Sequence, residues 1–115
     1  MSTLRVNSLL NAAGTATPAI DGLAKAWVNF NGTGTVAIRQ AFNVSSVTDV
    51  GTGIYTVNFT TAMIDSNYST VVTCGQAEFA GMDLPLTNSV NAYVVTRADS
   101  LNRVDNSYVN VAVFR

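Results

Sequence analysis

The chain contains no histidine. That absence excludes Ser-His-Asp and Cys-His nucleophilic catalysis, which need an imidazole base, and removes most zinc chemistry with it. Charge is scarce too, with six basic side chains against seven acidic ones in 115 residues. No field of either sign exists to gather a phosphate backbone or an anionic lipid surface, so neither nucleic acid nor membrane insertion is expected. The single cysteine, Cys74, rules out an intrachain disulfide, and its setting in Thr-Val-Val-Thr-Cys-Gly predicts a small buried hydrophobe. No uninterrupted apolar run approaches the roughly 18 residues of a membrane-spanning helix. The opening stretch MSTLRVNSLLNAAGTATP lacks the apolar block of a signal peptide, so synthesis and assembly in a cytoplasm are expected.

What remains is a chain 48% apolar, enough to fill one core of ordinary density, and short enough to be one domain. Its polar surface must come from Asn, Thr and Ser, which hydrogen-bond without mutual repulsion. A surface of that kind, with little net charge to oppose association, favours packing against copies of itself.

Period-two alternation dominates the pattern. In Ile54 to Thr60, Tyr55, Val57 and Phe59 share one side while Thr56 and Asn58 take the other. Ala26, Val28 and Phe30 likewise face away from Lys25, Trp27 and Asn29, so Trp27 needs cover from a second layer or a second subunit. Asn31-Gly32-Thr33-Gly34 predicts a reversal, because Asn-Gly tolerates positive φ. Strands are then expected over 36–42 and 44–48 about a bend near Asn43, over 54–60 after the turn Asp49 to Gly53, over 68–74, 90–97 and 108–114. The run Ala24 to Tyr68 has the spacing of a β-meander. Gln76 to Ser89, with Gly81 and Pro85 among scattered apolar residues, predicts a long connection rather than a central strand. Seven such strands without a helical period define an all-β chain, an antiparallel β-sandwich of six to seven short strands, with a partly closed barrel as the competing architecture.

Residues 1–22 differ in composition and predict an extended N-terminal docking arm, leaving 23–115 as the sandwich. Leu4 and Val6 alternate like a strand, whereas Val6, Leu9 and Leu10 fit one helical turn, and periodicity admits both.

Few residues offer chemistry. Glu78 and Asp83 are the nearest approach to an acid/base pair, which would make a small polysaccharide hydrolase. Cys74 lacks the base and electropositive setting of a nucleophile. Gly32-Thr33-Gly34 and Gly51-Thr52-Gly53 lack both the lysine and the following helix of a phosphate loop. Four Asn-x-Ser/Thr triplets, at Asn31, Asn43, Asn58 and Asn67, are what an Asn/Thr-rich composition produces. The aromatics Trp27, Phe30, Tyr55, Phe59, Tyr68, Tyr93 and Tyr108 are core candidates, some able to stack on a pyranose while Asn side chains bond its hydroxyls. No cofactor is expected.

At Lys25 to Thr35 (KAWVNFNGTGT), Asn43 to Asp49 (NVSSVTD), Gly51-Thr52-Gly53, Tyr55 to Met63 (YTVNFTTAM) and Asn67-Tyr68, the chain resembles a module of tail-fibre-like structural proteins of tailed bacteriophages, including cyanophages. The match covers about two fifths of the chain. It departs at Ile54, where a polar or acidic residue is expected, and at Ile64, where a proline is common. The resemblance implies a β-rich, often trimeric virion component that mediates attachment or ornaments the particle. The expected function is therefore a non-enzymatic tail-fibre or receptor-binding subunit, a homotrimer on the tail or capsid surface, with a capsid decoration or cement protein as the alternative. Leu4, Val6, Leu9, Leu10 and Trp27 are the expected assembly and docking residues, against other virion proteins and copies of the chain. Gln76, Glu78, Phe79, Met82 and Asp83 form the candidate receptor-contact loop, with host-surface glycan as its partner.

Overall fold

The alternation at Ala26, Val28 and Phe30 has the expected consequence: these side chains are fully covered while Trp27 faces out. The same logic repeats along the chain in a computed structural model that describes residues 3, 22–76, 78–95 and 102–115. Its strands are β1 (Ala24–Asn31), β2 (Ala37–Phe42), β3 (Val44–Gly51), β4 (Ile54–Phe59), β5 (Ser69–Cys74), β6 (Phe79–Asp83), β7 (Ser89–Val95) and β8 (Val109–Phe114). The first sheet has the order β2-β1-β8-β5 and the second β3-β4-β7-β6, every pairing antiparallel. The two pack face to face as an antiparallel sandwich, and no helix occurs among the described residues.

Between the sheets, Val109, Val111 and Val113 of β8 meet Tyr55, Val57 and Phe59 of β4 and Val90, Ala92 and Val94 of β7. Each fully buried valine contributes about 1.5–3 kcal/mol relative to exposure. Phe30 and Tyr55 join the layers edge to face, with ring centroids 5.1 Å apart at 74°.

Three expectations change. The run Ala24 to Tyr68 is not one meander: β1 and β2 form a hairpin in the first sheet, β3 and β4 a hairpin in the second. The chain crosses between them at Asn43, which adopts a left-handed φ of 55°. Its side-chain amide donates to the Lys25 and Thr61 carbonyls, both at 3.0 Å, and its Oδ1 accepts the Thr61 N–H at 2.7 Å. Asparagine suits this pivot because it tolerates that backbone conformation and bonds both sides of the crossing.

Gln76 to Ser89 is not a plain connection, because it contains the edge strand β6. Gly81 sits beneath the Tyr93 ring, where an added Cβ would fall 2.5 Å from the Tyr93 hydroxyl oxygen, so the glycine marks close packing rather than a break. Finally, the positive φ of the first hairpin falls on Gly34, at 60°, and not on Asn31 or Gly32. Gly32 is required because the Tyr55 hydroxyl lies against it.

The two ends of the sandwich differ. At the upper pole, residues 103–107 cross between the sheets and tie three turns together. Asn106 C=O accepts the Gly32 N–H at 2.9 Å, Asp105 Oδ1 accepts the Gly53 N–H at 2.8 Å, and the Asn106 side-chain amide donates to Gly75 C=O at 2.9 Å. Asn106, although polar, is buried, and its Oδ1 also accepts the Tyr108 N–H at 2.9 Å. Buried polar groups without such partners would cost stability, so among the described residues these turns are held together by satisfied hydrogen bonds. The lower pole holds Asn43, the loops before β5 and before β7, and residues 22 and 23, from which the chain continues toward its N-terminus.

Candidate binding face and assembly pole

The outward residues of β2, β1, β8 and β5 line up across the first sheet in two rows. Phe42, Trp27, Ala112 and Val71 occupy one register, and Gln40, Asn29, Asn110 and Thr73 the next. Phe42 and Val71 are exposed, and Trp27 keeps 37% of its surface in solvent. The second row is hydrogen-bonded in sequence: an Arg39 guanidinium N–H donates to Asn29 Oδ1 at 3.2 Å, Asn29 Nδ2 to Asn110 Oδ1, and Asn110 Nδ2 to Thr73 Oγ1 at 3.3 Å. Arg39 is fixed in turn by the Ser107 carbonyl and by the Tyr108 ring, whose centroid lies 4.0 Å from its guanidinium carbon. Between the rows runs a shallow groove of about 260 Å³, lined by Trp27, Asn29, Val71, Thr73, Asn110 and Ala112 among others.

Across β3, β4 and the start of β7, the outer face of the second sheet carries hydroxyl and amide side chains. Asn58 Nδ2 donates to Ser46 Oγ at 3.1 Å and Thr48 Oγ1 at 3.0 Å, and the Thr56 hydroxyl to Asn91 Oδ1 at 2.8 Å. These bonds tie neighbouring strands on the solvent side and stiffen the body.

At the lower pole the loop 62–67 lies against the loop 84–88 through the Met63 N–H and Thr87 carbonyl, 2.7 Å apart. Tyr68 supports the same region, its hydroxyl 2.8 Å from Leu86 C=O and 3.1 Å from Ser89 C=O, and Asp65 is clasped at both carboxylate oxygens by Arg115, each contact at 2.8 Å. The Arg115 guanidinium first, and then the Asn67 N–H, lower the Asp65 pKa to about 2. On this braced surface Leu23, Leu84 and Leu86 are exposed and Ile64 is 82% exposed. Leu84 holds a left-handed φ of 49°, its N–H accepted by Asp83 Oδ1 at 2.8 Å.

The expected receptor-contact residues do not form one surface. Phe79 and Asp83 project from the outer face of the second sheet, Met82 turns inward against the core, Gln76 follows the upper-pole Gly75, and Glu78 precedes β6. Glu78 and Asp83 are separated by about 17 Å of extended chain, beyond the ~5–9.5 Å spacing of paired glycosidic carboxylates. Cys74 is half-buried beside the core, and burial first, then the charge of Glu78, pushes its thiol pKa up, away from thiolate character. Among the described residues no group of three or more His, Cys, Asp or Glu side chains could hold a metal ion. Leu4, Val6, Leu9 and Leu10 lie outside the described residues.

Sequence reasoning placed Trp27 outward but missed Asn110, Thr73 and Val71 as its neighbours. The alternation of Asn110 with Val109 and Val111 was visible; which strands lie side by side was not. No family model, curated protein or solved structure matches the chain. Fold and surface thus define the class at the level of an eight-stranded antiparallel β-sandwich.

Proposed function

We propose that the chain is a virion structural protein, a tail-fibre or receptor-binding subunit that assembles as a homotrimer and mediates host attachment. The observation that supports this most is the gathering of exposed Leu23, Ile64, Leu84 and Leu86 at the pole where the chain continues toward its N-terminus, opposite a pole whose turns are held by hydrogen bonds. The lower end is read as the one that is held, which leaves the other to project. Burial of an aliphatic side chain gives about 1.5–3 kcal/mol, whereas association costs about 4–15 kcal/mol in lost freedom. Four side chains per copy therefore leave little surplus, and the aliphatics Leu4, Val6, Leu9 and Leu10 supply the remainder by docking to neighbouring copies or to other virion proteins. The resemblance at Ala24 to Tyr68 supports the same reading and adds the viral setting.

The test is electron microscopy of phage particles labelled at Thr52, exposed in the β3–β4 turn at the opposite pole. Label at the tail tip or fibre is expected. Label spread over the shell would favour capsid decoration, and unlabelled particles would remove the viral reading.

A further inference from the structure

The groove on the outer face of the first sheet has the chemistry of a saccharide site, and we propose that it binds a neutral oligosaccharide. Its residues differ from those expected from sequence to contact a receptor. The inference goes beyond the proposed virion role and does not depend on it.

One wall is the partly exposed indole of Trp27 with the apolar floor of Ala112 and Val71; the other is the amide row Asn29 and Asn110 with the Thr73 hydroxyl. A sugar ring has the matching pair of surfaces, a C–H face that packs on an aromatic ring and hydroxyls that bond amides. The amide row is already oriented. Arg39 polarises Asn29, Asn29 bonds Asn110, and Asn110 bonds Thr73, which leaves one N–H of each Asn amide and the Thr73 hydroxyl proton unused by the row itself. Donors held this way need no reordering on binding.

Charge selects the ligand class. Every side chain lining the groove is neutral. The nearest cation, Arg39, keeps its charge, since Asn29, Ser107 and Tyr108 are neutral partners, but it stands beside the groove rather than in its lining, so the groove itself is built for an uncharged ring. Length is available as well. Tyr108, exposed and under Arg39, lies four residues from Ala112 along the chain, about 13 Å from the Trp27 row, so a second aromatic stands beyond the amides along the strand direction.

Trp27 is the single tryptophan of the chain, so its emission reports on this face alone. The full-length protein is titrated with neutral glucan, mannan and galactan oligosaccharides, with an acidic uronan as comparison and with protein concentration varied separately. A saturable blue shift with at least one neutral oligosaccharide is expected, at lower concentration than any shift with the uronan. By calorimetry the same ligand should bind at least tenfold more weakly to Asn110→Ala, lose measurable binding to Trp27→Ala, and keep most of its affinity for Trp27→Tyr, which retains a stacking ring. Circular dichroism of each variant verifies folding. No shift with any neutral oligosaccharide at millimolar concentration overturns the proposal, as does binding unaffected by Asn110→Ala. A shift that follows protein concentration alone means that a second copy covers the face, and overturns it too. A monomer that binds sugar would sink the trimeric assembly and leave this site standing.

Discussion

The Tyr55 hydroxyl lies 3.0 Å from Asp105 Oδ1, the same oxygen that accepts the Gly53 N–H at 2.8 Å. One carboxylate thereby joins the β3–β4 turn, the core of the second sheet and the segment that closes the upper pole. The Gly32 carbonyl, also 3.0 Å from that hydroxyl, brings the first sheet into the same contact. The parts of this junction can be removed one at a time.

Tyr55→Phe keeps the buried ring but removes the donor that Asp105 and Gly32 share. Leaving a buried acceptor unpaired costs about 1–3 kcal/mol. Urea denaturation should show a lower midpoint with unchanged m-value, because the surface exposed on unfolding is nearly the same. A midpoint equal to wild type would show the junction to be dispensable.

Alkaline pH probes the same hydroxyl. Burial foremost, then the hydrogen bond and charge of Asp105, push the Tyr55 pKa well above the ordinary value of 10.0. Above pH ~10 the unfolded chain releases this proton while the native chain holds it, so stability is fully present below that pH and falls as pH rises further. Tyr68, raised mainly by burial, adds to the same trend. Denaturation midpoints measured from pH 8 upward should decline above pH ~10, and Tyr55→Phe should decline less steeply. Equal slopes would contradict the assignment to Tyr55.

Two glycines with similar backbones should respond differently to alanine. Gly34 has φ +60° and open space where a Cβ would stand, so Gly34→Ala should cost only the left-handed strain of about 1–2 kcal/mol. Gly53 has φ +65°, but its Cβ would fall 2.6 Å from the Val94 carbonyl oxygen and 2.7 Å from Val104 backbone atoms. Overpacking against main chain adds about 1–3 kcal/mol, so thermal unfolding should rank Gly53→Ala clearly below Gly34→Ala.

At the lower pole, NMR titration of Asp65 should give a midpoint near 2, moving back toward the ordinary value of 3.8 in Arg115→Gln but not reaching it, because the Asn67 N–H remains. The contribution of this clasp is present above the ordinary carboxylate range and is lost as pH falls toward 2. No change in Arg115→Gln would mean that the arginine does not hold the carboxylate in solution.

How far the sequence disclosed this fold depends on whether a residue's neighbours were close in the chain. β4 was legible because Tyr55, Val57 and Phe59 bury one side of a strand by local alternation alone. Asn43 was legible as a bend, but not as the crossing between sheets, since that depends on Lys25 and Thr61 arriving from elsewhere. β6 was obscured by Gly81, a residue explained by the Tyr93 ring of the neighbouring strand. The same limit applied to the groove: the outward direction of Trp27 is a local property, while its pairing with Ala112 and the nearby Asn110–Thr73 row belong to strand order.

Native mass spectrometry of the full-length protein beside Ile64→Asp tests the proposed assembly most directly. Ile64 is 82% exposed, so a charge there leaves the core intact and acts on the lower pole. The account predicts a trimer for the wild type and a folded monomer for Ile64→Asp. A wild type that stays monomeric at every concentration, or a trimer indifferent to the charge, would contradict it.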